Sequence, residues 1–238
     1  MIYLQDPGLI FLKPHKVAGS SFEIALSCFA RPGDIVTTLR DDEPKRRAAG
    51  GTGPQGHRYP VRELGEVTRL EWMRARRRKG WPHKFFPHMS ASLTRERLGP
   101  DRYDRAIKVS IVRNPYERIV STYYWRQHLL GKEIGFERWC LEFASEIDRD
   151  NKVYLTDGKV AIDRFLRFEN LGSDIAALEA DYPALAGVGD AFSRTDAKTG
   201  VRPRQATFAA LSAGQPALRK LVEKRCRFEI ERFGYTPE

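Results

Sequence analysis

The sequence predicts an α/β domain with a mostly parallel central sheet flanked by helices. The first observation is a short apolar run at 9–13, LIFLK, followed by a loop and then by apolar residues at helical spacing in 21–30. The second is the same order further along, where the apolar run 105–113, RAIKVSIVR, precedes a helical pattern at 114–130. Because alternating strands and helices are typical of sheets with parallel pairing, we expect both strands in one sheet.

The remaining elements follow from periodicity and turn residues. Ser20 or Ser21 is expected to cap the first helix, with Glu23 in its first turn complementing the helix dipole. A second strand is expected at 34–38, whereas the Pro, Gly and charge of 41–60 are typical of a loop or lid. Further along, the patterns predict a basic helix at 61–79, an aromatic loop with a short helix at 81–99, helices at 136–148, 170–180 and 205–233, and a hairpin at 153–162.

Length and composition indicate one packed domain over 1–238. The chain has 238 residues, of which 41% are hydrophobic and 11% aromatic, and this excludes collagen-like, low-complexity and wholly disordered classes. Lys and Arg number 41 against 31 Asp and Glu, which gives a net charge of +10. A basic surface concentrates anions in its clefts, so an anionic partner is expected.

Compartment is indicated by the cysteines and by the apolar runs. Cys28, Cys140 and Cys226 are odd in number and widely spaced, which favours free thiols in a reducing compartment. No apolar run approaches the ~20 residues of a membrane span, and the N-terminus lacks the pattern of a signal peptide. We therefore expect a cytoplasmic protein with no membrane span.

The first loop, KPHKVAGSSF at 13–22, joins a strand to a helix. Gly19 permits close approach of the backbone, and the helix that follows presents unpaired N–H groups, which suits a phosphate or sulfate. A nucleoside triphosphate loop would read G-x-x-x-x-G-K-[ST], whereas here the lysine precedes the glycine. An ordinary capped turn is the alternative interpretation.

The second unit, VSIVRNPYERIVS at 109–121, places Arg113 at a strand end and Ser121 eight residues later. Asn114 and Pro115 form a well-defined helix start between them, as cap and first helical residue. A guanidinium binds phosphate through two parallel hydrogen bonds, and a serine hydroxyl adds a further donor.

Together, and in this order, the two segments resemble the sulfotransferases that use 3′-phosphoadenosine 5′-phosphosulfate (PAPS), in particular the branch containing carbohydrate sulfotransferases. The segments 162–178 and 226–237 also look like landmarks of that family. The resemblance implies a three-layer domain of the P-loop-like class, PAPS as sulfuryl donor, no required metal, and a hydroxyl acceptor that is expected to be a carbohydrate. Because the match begins near residue 9 without an anchor, a bacterial-type soluble member is expected.

The resemblance also assigns roles to residues. Lys16 is the expected lysine of the loop that binds the 5′-phosphosulfate and stabilises the leaving phosphate, and Arg113 with Ser121 are expected to bind the 3′-phosphate. The sequence departs from the usual Pro-Lys-Thr because His15 and Val17 flank the lysine. The other expected cofactor-binding residues are Val17, Ala18, Gly19, Ser20 and Ser21 of the loop, and Lys198 and Arg202 of a late basic segment that also contains Arg204.

Sulfuryl transfer by in-line displacement requires a general base. His88 is the predicted base, since imidazole titrates near neutral pH and the resemblance places a histidine between the two cofactor segments. His83 and His15 remain alternatives for the base.

The same residues are compatible with other classes of function. The basic run 74–80 could bind an acidic acceptor, and the alternative is that it is a solvent-exposed helix end with no binding role. The positive charge with interleaved aromatic residues also suits a nucleic-acid-binding protein, although no groove-reading or single-strand-binding motif is present. A kinase-like phosphotransferase is the third alternative, which the missing nucleotide-loop signature disfavours.

Overall fold

A computed structural model describes residues 1–77, 80–131, 133–195, 201–203 and 205–237. The strands are β1 (Ile2–Leu4), β2 (Leu9–Phe11), β3 (Ile35–Val36), β4 (Ile107–Val112), β5 (Leu155–Thr156), β6 (Lys159–Val160) and β7 (Arg164–Arg167). The helices are α1 (Gly19–Ser27), α2 (Glu43–Ala48), α3 (Arg69–Arg77), α4 (Ala91–Leu98), α5 (Pro100–Arg105), α6 (Pro115–Leu130), α7 (Phe136–Glu142), α8 (Asn151–Tyr154), α9 (Leu171–Asp181), α10 (Val188–Ser193), α11 (Phe208–Leu211), α12 (Pro216–Arg225) and α13 (Arg227–Phe233).

The main sheet is mixed, with the strand order β3-β1-β2-β4-β7. The pairings β2–β4 and β4–β7 are parallel, with Phe11 opposite Val109 and Ile111 opposite Leu166. The α/β prediction is therefore confirmed, and the parallel pairing forms the core of the sheet. The expectation of a mostly parallel sheet needs correction at one edge, because β1 pairs antiparallel with both β2 and β3.

Helices cover both faces of this sheet, as the alternation of the strand side chains requires. Leu9 and Phe11 pack into a cluster with α1, α9 and α10, whereas Ile10 and Leu12 pack into a second cluster with α4, α5 and α8. A third apolar cluster joins α6, α7, α11 and α12, and it includes the buried Trp139.

Most of the predicted elements are present. The hairpin at 153–162 is the pair β5–β6, and α6 begins as predicted, with the Asn114 side chain accepting a hydrogen bond from the amide of Tyr116. The segment 41–60, expected to be a loop or lid, contains α2. There the fully buried Arg46 guanidinium donates to Glu43 and to the carbonyl of Thr37, so its charge is compensated inside the fold.

Two details at α1 differ from the prediction. The N-cap position belongs to Ala18, which has no side-chain oxygen to accept a hydrogen bond, so neither Ser20 nor Ser21 is the N-cap. Glu23 is fully buried and forms ion pairs with Lys13 and with the amino group of Met1 instead of simply facing the helix dipole. The three cysteines are free thiols, as predicted, and Cys140 and Cys226 are buried while Cys28 is half-buried.

Candidate functional site

The loop between β2 and α1 lies at the carboxyl end of a parallel strand and has a constrained backbone. Lys16 and Ala18 both have φ near 59°, a left-handed conformation that disfavours residues other than glycine. His88, on a separate loop, has φ 61°. Left-handed non-glycine residues of this kind concentrate at functional sites. The first-turn amides of α1 have no acceptor within the helix, and the positive end of the helix dipole attracts anions.

Lys13 and Lys16 have different surroundings within the same loop. The Lys13 ammonium is buried, lies 2.6 Å from Glu23 Oε2 and donates to Ser20 Oγ at 3.2 Å. Gly19 makes room for its stem, since a Cβ there would lie 2.9 Å from Lys13 Cγ. Lys16 is half-buried, and its Nζ lies 4.5 Å from the centre of the Trp125 ring on α6. Lys13 is thus part of the buried structure, while Lys16 lies between the loop and α6.

Arg113 connects the two segments singled out in the sequence. Its Nη1 donates to the carbonyl of Lys16 at 2.8 Å, and its guanidinium lies 4.0 Å from the centre of the Phe168 ring. Burial and the nearby Arg202 guanidinium lower the pKa of Arg113 to about 10. A cavity of about 360 Å³ opens beside it, lined by Arg113, Asn114, Glu117, Phe168, Glu169, Arg202 and Pro203.

Two arginines therefore face one cavity, and they differ in their partners. Arg202 forms an ion pair with Glu117 and donates to the carbonyl of Ala206. Among the residues that the structure describes, no carboxylate forms an ion pair with Arg113. The charge of Arg113 is therefore the more available of the two to an anion in the cavity.

Ser121 lies on the face of α6 that carries Glu117 and Trp125, because residues four apart on a helix are neighbours. This face joins the cavity to the position of Lys16. Val17 is fully buried in the apolar core, so its side chain is structural, and Ser20 and Ser21 are buried as well. Lys198 lies outside the described residues.

His15 and His88 form a stacked pair, although 73 positions separate them in the sequence. Their ring centres are 3.5 Å apart and their planes differ by 12°. His88 Nδ1 lies 2.9 Å from the carbonyl oxygen of Lys13, and His15 Nδ1 lies 2.6 Å from Asp150 Oδ1. A carbonyl or an ionised carboxylate can only accept, so each Nδ1 carries the proton and each Nε2 has a free electron pair.

The two imidazoles differ in what stabilises the charged form. Burial, the neighbouring His15 ring and Lys13 lower the pKa of His88 to about 2. Burial also lowers the pKa of His15, but the hydrogen bond and the charge of Asp150 oppose that effect. An imidazolium at His15 would therefore be stabilised by a directly bonded carboxylate, whereas at His88 the more distant charges of Asp150 and Glu23 only partly oppose burial, His15 and Lys13.

Asp150 is held in place by a buried ionic network. Although burial raises the pKa of Asp150, the bonds from His15 and the charge of Arg118 hold it well below its usual range. The Arg118 guanidinium lies 3.1 Å from Asp150 Oδ2 and 2.6 Å from Glu229 Oε1. Local sequence does not indicate Asp150, because its partners His15 and Arg118 lie 135 and 32 positions away, in the first loop and in α6.

The remaining sequence candidates lie elsewhere. His83 packs edge-on against His57 with ring centres 4.8 Å apart and is not in the stacked pair. In the described part of the chain, no group of three or more His, Cys, Asp or Glu side chains could hold a metal ion.

Comparison of the chain with family models, with curated proteins and with solved structures found no match. Among the described residues, no helix is long and apolar enough to cross a bilayer.

Proposed function

We propose that this protein is a PAPS-dependent sulfotransferase that transfers a sulfuryl group to a hydroxyl, with a carbohydrate as the expected acceptor. The observation that carries the proposal is the 2.8 Å hydrogen bond from Arg113 to the Lys16 carbonyl, at the edge of a cavity that also contains Arg202. The resemblance requires the lysine loop and the Arg-x7-Ser element to meet around one nucleotide, and this contact supports that requirement.

The binding roles follow from charge and position. Arg113 and Ser121 are proposed to bind the 3′-phosphate, with Arg202 contributing after it turns from Glu117. Lys16 and the first-turn amides at Gly19, Ser20 and Ser21 are proposed to bind the 5′-phosphosulfate, as a helix N-terminus binds anions. A loop at the carboxyl end of parallel strands is the common position for such ligands in α/β sheets, which supports the P-loop-like interpretation.

The proposed reaction is an in-line displacement at sulfur. The acceptor oxygen forms a bond to sulfur while the bond from sulfur to the bridging phosphate oxygen breaks, and the electron pair of that bond remains on the leaving phosphate. The acceptor proton passes to an imidazole Nε2. Lys16 stabilises the negative charge that develops on the leaving oxygen, as preorganised cations do in phosphoryl transfer.

The geometry favours His15 as the imidazole that accepts this proton. A general base becomes positively charged in the transition state, and Asp150 compensates that charge on His15 through a 2.6 Å bond. His88, the base predicted from the sequence, has a carbonyl as its Nδ1 partner and lies near the Lys13 ammonium, which disfavours its protonation. His88 is then proposed to fix the His15 ring by stacking.

Calorimetric titration with the product nucleotide, 3′,5′-diphosphoadenosine, tests the proposal. We expect micromolar binding, and we expect Arg113→Ala to weaken it by about 1.5–3 kcal/mol through loss of a charged hydrogen-bonding group. Arg105→Ala is the matched control, because Arg105 is exposed and bonds to the carbonyl of Asp101. Adenosine 5′-phosphate, which lacks the 3′-phosphate, should bind wild type about as weakly as the diphosphate binds Arg113→Ala.

Two other ligands separate the competing functions. ATP with Mg²⁺ binding more tightly than the diphosphate would favour a phosphotransferase. Tight binding of a short oligonucleotide with steep salt dependence, without binding of the diphosphate, would favour a nucleic-acid-binding protein. Either result would reject the sulfotransferase proposal.

A further inference from the structure

The segment 61–77 has an unusual division of charge between its inner and outer sides. Its inner side is attached to the domain, where Glu63 pairs with Lys84 at 2.6 Å and Glu71 pairs with the Arg97 guanidinium. Val67 and Ala75 are buried. Two of the three carboxylates of the segment are thus used in internal contacts, and Glu66 is the exposed one.

The outer side of α3 carries apolar and basic side chains together. Leu70, Met73, Arg74 and Arg77 recur at the spacing of one helix face, and we call these four residues the α3 face. Leu70 is 51% exposed and Met73 is 53% exposed. Val61, in the turn before the helix, is 75% exposed. Large apolar side chains exposed close together are typical of interaction sites.

The arginines of this segment are available to a partner. Arg69, Arg74, Arg76 and Arg77 are exposed, and within the described residues no carboxylate forms an ion pair with any of them. A helix whose basic residues surround exposed apolar ones matches the composition of helices that lie on anionic bilayers. The charge complements lipid headgroups, and the apolar side chains can be buried at the boundary with the acyl chains.

We propose that the α3 face is a peripheral docking site for an anionic lipid bilayer. A bilayer explains both halves of the surface, because a polysaccharide or a nucleic-acid backbone would satisfy the arginines but would leave Leu70 and Met73 exposed to water. No helix in the described residues could cross the bilayer, so the contact is at its surface. Such docking would hold the protein beside acceptors at the membrane, independently of the reaction it performs.

Co-sedimentation with vesicles tests this inference. Wild type should bind vesicles of phosphatidylcholine with phosphatidylglycerol, should bind pure phosphatidylcholine vesicles far less, and should be released by salt. Arg74→Gln with Arg77→Gln should weaken binding about tenfold or more, since each basic residue near an anionic surface contributes substantially. Leu70→Ser with Met73→Ser should also weaken it about tenfold, because apolar burial at the interface is lost.

The matched control is Leu129→Ser with Leu130→Ser, which removes two apolar side chains that are 57% and 51% exposed at the end of α6. This control should bind vesicles like wild type. Wild type that fails to bind the anionic vesicles overturns the inference. The inference is also overturned if the Leu70→Ser, Met73→Ser variant binds anionic vesicles as well as the control does. If that variant then also binds heparin or an oligonucleotide, the arginines bind a polyanion and not a bilayer. Affinity for 3′,5′-diphosphoadenosine, measured on the same variants, should not change and separates this inference from the proposed function.

Discussion

Single residues decide the chemistry of the candidate site, and their hydrogen-bond partners distinguish residues that the sequence presents as equivalent. Lys13 and Lys16 lie three positions apart, yet the ammonium of the first is paired with Glu23 and that of the second faces Trp125. His15 and His88 share one stack, yet Asp150 contacts His15 alone of the two. Glu23 lies ten positions from Lys13, on the next helix, whereas Trp125 and Asp150 are more than a hundred positions from their partners, so no local pattern could predict these contacts.

The choice between the two histidines gives the first prediction at this scale. His15→Gln should lower turnover by about 10²–10⁴-fold, the usual contribution of a general base. His88→Gln should lower it by about tenfold or less, because its ring supports His15 without accepting the proton. Turnover is measured with sulfur-labelled PAPS and a panel of polysaccharide acceptors.

Binding of 3′,5′-diphosphoadenosine is the control for both variants, and it should match wild type. Asp150→Asn should reduce turnover in the same direction as His15→Gln and should alter the pH profile, since the amide cannot stabilise an imidazolium. If His88→Gln lost turnover while His15→Gln retained it, His88 would be the base, as the sequence predicts.

Secondary-structure elements were easier to predict where local signals agree. Asn114 and Pro115 mark the start of α6, and the β-branched run before them forms β4. The sequence does not indicate β1 and β7, because β1 lies before the first strand–loop–helix pattern and β7 has an arginine at each end. Their pairing with β2 and β4 gives them a stability that their own sequences do not indicate.

Helix α6 also illustrates what local sequence leaves undetermined. Arg118 lies within a well-predicted helix, but its carboxylate partners are 32 and 111 positions away in the chain. Through them it ties α6 both to the residue that orients His15 and to α13. The position of the candidate base therefore depends on the packing of the C-terminal helix.

This network gives a prediction for the element. Arg118→Met should lower the free energy of unfolding by about 3–5 kcal/mol, because two buried carboxylates lose their counter-ion. Arg126→Met, on the same helix, should cost about 1 kcal/mol or less, since the pair of Arg126 with Glu146 is partly exposed. Urea denaturation of the two variants measures the difference. Equal losses would mean that the buried pairs contribute no more than a surface pair.

For the whole molecule, the net charge of +10 leaves a surplus of cations after the internal pairs are formed. The carboxylates of Glu23, Asp150 and Glu229 lie in buried ion pairs, so the surface carries the surplus. The composition indicates a basic surface, but it does not indicate where on the surface the basic residues lie. Arg113 and Arg202 meet at a cavity, whereas the arginines of the α3 face are exposed beside apolar residues.

The buried ionisable groups predict how global stability depends on pH. Burial lowers the pKa of His57 to about 4 and that of His88 to about 2, from an ordinary 6.5. In each case the folded protein binds fewer protons than the unfolded chain below pH 6.5, so stability falls as the pH falls from there. Glu23 adds to this loss below pH 4.5, because its ion pairs with Lys13 and the Met1 amino group lower its pKa to about 2 against the opposing effect of burial.

Burial also lowers the pKa of the Met1 amino group from 8.0 to about 6, so urea denaturation at a series of pH values should show stability falling gently from near pH 8 and more steeply from near pH 6.5. His88→Gln should flatten the decline between pH 6.5 and 4.5, because a neutral amide takes up no proton in the unfolded chain. The steeper loss below pH 4.5 should persist in that variant, since Glu23 is unchanged. His128→Gln, at an exposed position, should leave the curve of wild type intact. If the free energy of unfolding of wild type stayed level down to pH 4.5, His57 and His88 would have to take up protons in the folded protein. The stacked His15 and His88 rings would then not both be neutral, and the proposed mechanism, in which a neutral His15 accepts the proton, would be wrong.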